Sequence, residues 1–133
     1  MSTDQPHNPS AFLASLGITV DEQQHSVIAN STVSTDNLIM PLSYYGFLAI
    51  NGPDTAKFLQ GQTTCDVSTI NQQHSVNGAY CTPKGRMVSS FRLATTGPDS
   101  YLLRMRENIV ASTQAVFAKY IVFSKAEQLD ASN

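Results

Sequence analysis

Five of the chain's eight basic residues, Lys84, Arg86, Arg92, Arg104 and Arg106, fall within 84–106, where Asp99 is the only acid. Residues 1–56 contain no Lys or Arg at all. The net charge of −2 argues against binding polyanions over the whole surface, so the chemistry open to this cluster is local: holding one anionic group against guanidinium and ammonium donors.

Two of the five are paired by pattern. Alternation along "MVSSFRLAT" puts Met87, Ser89, Phe91 and Leu93 on one strand face and Val88, Ser90, Arg92 and Ala94 on the other. In "YLLRMR" the faces are Tyr101, Leu103 and Met105 against Leu102, Arg104 and Arg106. A loop of Thr96–Ser100 pairs Thr95 with Tyr101, Leu93 with Leu103 and Arg92 with Arg104, which keeps the apolar faces together. Like charges in direct opposition cost roughly 0.2–1 kcal/mol unless an anion or a carboxylate lies between them. Two readings stand. Either Arg92 and Arg104 form part of a ligand wall, or both spread into solvent or toward distant acids with their stems packed on the sheet.

Lys84-Gly85-Arg86 follows Pro83 at the start of the same strand, where Gly85 relaxes a turn. It is either a solubilising hairpin tip or a contributor to the same anion-friendly surface. His7, His25 and His74 lie in polar, loop-like contexts and form no catalytic dyad. Cys65 and Cys81 have no CxxC spacing and no neighbouring His, so we read them as reduced thiols rather than metal ligands or a disulfide. Cys81 falls in a strand with no nearby base to activate it as a nucleophile.

The elements that must position these residues are strands. Tyr45–Ile50 is rich in strand formers and ends at Asn51-Gly52, and Pro53 suits the first turn of a helix carrying Ala56, Phe58 and Leu59 that Gly61 ends. Thr63, Thr64 and Asp66 can satisfy backbone groups in the loop beyond. Further strands are expected over Val76–Thr82, Arg86–Thr95 and Tyr101–Arg106, then a helix from about Glu107 to Tyr120 with Ile109, Val116, Phe117 and Tyr120 as its apolar stripe. A short helix capped by Ser10 and stopped by Gly17 precedes them, and residues 21–37 carry only brief strand-like runs. The order implies an α+β fold, an antiparallel or mixed sheet with covering helices. The expected organisation is a flexible N-terminus at 1–9, one α+β domain over 10–126 and a polar tail at 127–133.

With 133 residues and 41% hydrophobic content the chain can bury one modest core. No stretch has the length of a membrane span and no secretory leader is present, so the chain reads as cytoplasmic. The basic cluster lacks interleaved aromatics, which argues against direct nucleic-acid binding.

Three segments in order, "INGPDTAKFLQGQTTCDV", "GAYCTPKGRMVSSFRL" and "AKYIVFSK", resemble the N-terminal part of the YgfZ-type folate-binding proteins, relatives of the glycine-cleavage aminomethyltransferase. The resemblance covers roughly residues 38–126. It implies a partial folate-binding domain, one of several α+β domains set around a central tetrahydrofolate pocket. It also implies a role in iron–sulfur cluster assembly or repair, with iron–sulfur enzymes or assembly proteins as partners and an indirect effect on tRNA modification. Under that reading Arg92, Arg104, Lys84 and Arg86 are candidate partners for the folate glutamate carboxylates.

Two departures qualify the resemblance. Ser89 and Ser90 stand where the aminomethyltransferase branch carries a pair of aspartates, and a serine hydroxyl cannot carry charge or hold a proton near neutral pH as a carboxylate does. Aminomethyl transfer is therefore the second reading, and a non-catalytic interaction module that keeps the fold is the third. The Lys-Gly-Cys signature of the YgfZ type is also missing before the sequence stops at Asn133. The expectation is an N-terminal fragment: a shortened chain, an incomplete gene or a short stand-alone relative. An apolar flank left uncovered in it would favour self-association.

Overall fold

A computed structural model of the protein describes residues 9–21, 26–29, 42 and 44–132. The single body expected over 10–126 is divided into two compact units, Met1–Tyr44 and Tyr45–Asn133. In the first, helix α1 (Pro9–Ser15) is followed by an antiparallel pair, β1 (Ile18–Asp21) and β2 (Ser26–Ala29), in register from Ile18 opposite Ala29 to Asp21 opposite Ser26. Gly17 stops α1 as expected, at φ 71°. Of the N-terminus expected to be flexible at 1–9, Pro9 instead opens α1 and residues 1–8 lie outside the described residues, as do 22–25 and 30–37 of the weakly patterned 21–37 stretch.

The second unit is built on five strands, all antiparallel, in the order β4-β5-β6-β3-β7. These are β3 (Tyr45–Asn51), β4 (Val76–Cys81), β5 (Met87–Gly97), β6 (Ser100–Arg106) and β7 (Glu127–Asp130). Helices α2 (Thr55–Gln62) and α3 (Val110–Ile121) supply buried residues to a common core. The α+β expectation holds. Leu48, Ile50, Leu93 and Leu103 on one sheet face are fully buried, as are Leu59 of α2 and Phe117 of α3. Phe117 meets Phe58 and Tyr80 edge-on, at centroid distances of 5.5 and 5.6 Å. Burial, then the neighbouring Tyr120, pushes the Tyr80 hydroxyl pKa up.

Local physics moves several expected boundaries. The polar tail expected at 127–133 is an edge strand over Glu127–Asp130, because backbone pairing of Leu48–Asn51 with it needs no apolar pattern. Gly61 does not end α2. The helix runs on to Gln62, and both the N–H and the hydroxyl of Thr63 donate to the Leu59 carbonyl, at 2.9 and 2.8 Å. A 3-10 turn over Glu107–Ile109 delays α3, so its buried stripe is Val110, Thr113, Phe117 and Ile121, and Tyr120 is instead exposed. Thr113 can sit in the core because its hydroxyl donates to the Ile109 carbonyl at 2.8 Å.

Met87 was expected beside Ser89 and Phe91 on the inner face, yet it is 65% exposed. The pairing shifts between Tyr80–Ser89 and Cys81–Met87, leaving Val88 as an extra residue that breaks the alternation. The loop after α2 behaves as its composition implies. Thr64 and Ala79 exchange hydrogen bonds at 3.0 Å, and Asp66 accepts from both the N–H and the hydroxyl of Ser68. The Ser68 hydroxyl, then its N–H, holds the Asp66 carboxyl below its usual range.

Candidate functional site

The β5–β6 hairpin forms with the expected register: Arg92 opposite Arg104, Leu93 opposite Leu103 and Thr95 opposite Tyr101. Its tip is tighter than a free five-residue loop. Gly97 pairs with Ser100, Asp99 takes φ 55°, and the Thr95 hydroxyl donates to the carbonyls of Gly97 and Ser100 at 2.7 and 2.9 Å. This closure fixes the phase of both strands. It therefore puts the two arginines on the sheet face opposite the buried Leu93 and Leu103.

One row of residues crosses four strands on that face: Asn77, Arg92, Arg104 and Phe47. The two guanidinium groups turn to neutral partners on either side. Arg92 Nε donates to Ser75 Oγ at 2.7 Å, and the Arg104 guanidinium carbon lies 4.5 Å from the centroid of the Tyr45 ring. Arg104 Nε is buried and has no hydrogen-bond partner among the described residues. Between these groups runs a groove of about 310 Å³ lined by Tyr45, Asn77, Gly78, Ser90, Phe91, Arg92, Arg104, Met105 and Arg106. Such a wall offers forked N–H donors and an aromatic edge to an acidic small molecule.

The four expected site residues do not stay together. Arg92 and Arg104 line the groove, whereas Lys84 and Arg86 are exposed in the β4–β5 turn and line no part of it. That turn is closed by Thr82, whose N–H donates to the Arg86 carbonyl at 2.8 Å and whose hydroxyl accepts from Arg86 N–H at 3.2 Å, with Gly85 at φ 76°. The two serines part as well. Ser90 faces the groove, and Ser89 is 2% exposed in the core with no partner for its hydroxyl among the described residues.

Arg106, Tyr45 and Asn77 join the groove although they were not assigned to it in advance. Arg106 was findable, since alternation already set it on the Arg104 face. Tyr45 and Asn77 depend on which strands become neighbours. Cys65 packs elsewhere, its Sγ 3.3 Å from the Thr63 hydroxyl and so close to Gly78 that a Cβ there would lie 2.7 Å away. Both cysteines are free thiols, and no group of three metal-ligating side chains occurs among the described residues. No helix among the described residues is long and apolar enough to cross a membrane.

The fold of the five-stranded unit has a counterpart among solved structures. The crystal structure of glycine cleavage system aminomethyltransferase T from Bartonella henselae superposes on 68% of this chain and 25% of its own, with a TM-score of 0.63 and 13% identity. No family model matches the chain.

Curated relatives narrow the class. The protein named tRNA-modifying protein YgfZ is 34% identical over 90 residues in Colwellia psychrerythraea, covering 68% of this chain and 28% of the relative. The Photorhabdus laumondii protein of that name is 37% identical over 87 residues, 65% of this chain and 26% of the relative. The one from Aliivibrio fischeri is 31% identical over 118 residues, 89% of this chain and 34% of the relative. The chain belongs with the YgfZ type and spans about a quarter to a third of the length of these relatives.

Proposed function

We propose that this chain supplies one wall of a tetrahydrofolate site in a cytoplasmic YgfZ-like accessory protein. That protein would support iron–sulfur cluster assembly or repair and, through cluster enzymes, tRNA modification. The observation that carries the reading is the Arg92–Arg104 pair: two opposed guanidinium groups with neutral partners on a groove open to solvent. The glutamate carboxylate of folate would relieve the like-charge opposition, and the Tyr45 ring, already stacked on Arg104, gives the pterin or aminobenzoyl part an apolar edge.

Aminomethyl transfer is the weaker reading. Ser90 is the residue of the serine pair that faces the groove, and its hydroxyl supplies no carboxylate there. The relatives' name points to tRNA, but of the two rings lining the groove Phe91 is buried, and Tyr45 with a few cations is a better match to a small acidic molecule than to a single strand.

Calorimetry with tetrahydrofolate tests the proposal. Arg92→Glu with Arg104→Glu is expected to weaken binding at least about ten-fold, roughly 1.4 kcal/mol. Lys84→Glu with Arg86→Glu, outside the groove, is expected to change it less than about two-fold. Unchanged affinity in the first double variant rejects the site.

A further inference from the structure

The end of α3 exposes an apolar group that the folate reading does not use. Val122 and Phe123, directly after the helix, are 71% and 87% exposed, and Tyr120 is 41% exposed. Large apolar side chains clustered in the open mark contact surfaces more often than chance exposure does. Tyr120 and Phe123 form one side of a groove of about 310 Å³, and Lys57 and Phe58 of α2 form the other. Ser124 borders this groove and also a second hollow of about 460 Å³ lined by Gly52, Lys125 and Glu127, so the two adjoin at that residue.

The segment that bears Phe123 is held in place rather than frayed. Phe123 N–H donates to the Tyr120 carbonyl at 3.2 Å and Ser124 N–H to the Ile121 carbonyl at 2.9 Å. Lys125 N–H donates to the Asp54 carboxylate at 2.8 Å, and Asp54 N–H returns a bond to the Lys125 carbonyl at 3.2 Å. Gly52, at φ 129°, passes so close to the Lys125 carbonyl that no side chain fits between them. A fixed apolar projection has little ordering entropy left to lose on docking.

Charge selects the occupant. Lys57, Lys119 and Lys125, three of the chain's four lysines, are exposed on α2, on the last turn of α3 and directly after Ser124. Among the described residues Asp54 is the acid that lines the Phe123 groove, and the Lys125 N–H already engages it, while Glu127 lies in the adjoining hollow beside Lys125. A second copy of the chain docking through the same patch would bring lysines against lysines. From these observations we infer that the groove between α2 and the end of α3 docks an acidic segment of a partner protein, one with a large apolar side chain flanked by carboxylates. This inference does not rest on folate binding, since the groove shares no lining residue with the Arg92–Arg104 site.

Selection of a random displayed peptide library on the full chain tests it. The expected outcome is a consensus with an aromatic or aliphatic anchor beside Asp or Glu. Affinity for the best synthetic peptide should fall at least about ten-fold in Phe123→Ser and in Lys57→Glu with Lys125→Glu, and weaken with added salt. Met87→Ser, which removes a comparably exposed apolar group elsewhere, should leave it unchanged. Phe123 is too exposed for its loss to unfold the protein, and a thermal melt of each variant checks this. The inference is overturned by an empty selection, by a consensus without acids, or by binding that survives Phe123→Ser. Dimerisation in sedimentation or binding to phosphatidylglycerol vesicles that Phe123→Ser abolishes overturns it too, by naming a different occupant.

Discussion

Leu93 and Arg92 are neighbours in β5, and their cross-strand partners Leu103 and Arg104 are neighbours in β6. One pair is fully buried beneath the helices and the other borders an open groove. A single hairpin thus serves both faces of the sheet, and the pleat alone separates the duties. The covered face holds shape through burial, with Phe117, Phe58 and Tyr80 locking α3 to the sheet. The open face sets Arg92 opposite Arg104, a like-charge opposition that an anion between them would relieve. This contrast predicts that substitutions on the covered face act on folding first, and substitutions on the open face act on binding first.

The harshest test of that division is Phe117→Ala. The ring is fully buried and makes both edge-on contacts, so its loss is expected to cost about 3–5 kcal/mol in urea denaturation, with folate binding lost only as the protein unfolds. A smaller loss, about 1–3 kcal/mol, is expected for Gly46→Ala. Its new methyl would lie 2.7 Å from Val110 Cγ2 and 2.8 Å from Ser132 Oγ, the hydroxyl that accepts the Phe47 N–H. An unchanged denaturation midpoint in either variant would break the division.

The covered face was the more legible one in the sequence, for a physical reason. Strand alternation and the length of the Thr96–Ser100 connection are local quantities, and together they determine the Leu93–Leu103 and Arg92–Arg104 pairs. What escaped a local reading depends on distant partners. β7 is held by backbone bonds to β3, so "EQLD" shows no strand signal and Leu129 stays 63% exposed. Thr113 is buried because of a bond to its own helix backbone, and Met87 is exposed because of a bulge set by β4. At the site, the arginines were legible but their partners were not. Ser75 precedes β4, and Tyr45 opens β3 on the far side of β6, so only the finished strand order brings either within reach of the hairpin.

Ser89 and Ser90 sharpen the comparison at single-residue resolution. Ser89→Ala removes a buried hydroxyl that has no partner and is expected to raise stability by about 1 kcal/mol with folate affinity unchanged. Ser90→Ala is expected to leave stability within about 0.5 kcal/mol and to act on the groove alone. Paired melts and calorimetry on the two variants read both quantities, and matching behaviour at the two serines would mean that the faces are not distinct.

The smallest effect is the most discriminating, because it separates the two arginines themselves. Arg92 makes a neutral hydrogen bond to Ser75, so Arg92→Gln mainly removes like-charge opposition and is expected to stabilise by about 0.2–1 kcal/mol. Arg104 also stacks on Tyr45, an interaction of about 0.5–1 kcal/mol that Arg104→Gln forfeits, so the gain there should vanish or reverse. Under the proposed folate site both variants lose a donor and should bind more weakly. Raising the salt concentration should erase the Arg92→Gln gain while leaving the Arg104→Gln difference, since screening acts on the opposed charges and far less on the stacked pair. If both variants stabilise equally at every salt concentration, the Tyr45 contact contributes nothing, and the groove would have to be read as two equivalent surface charges.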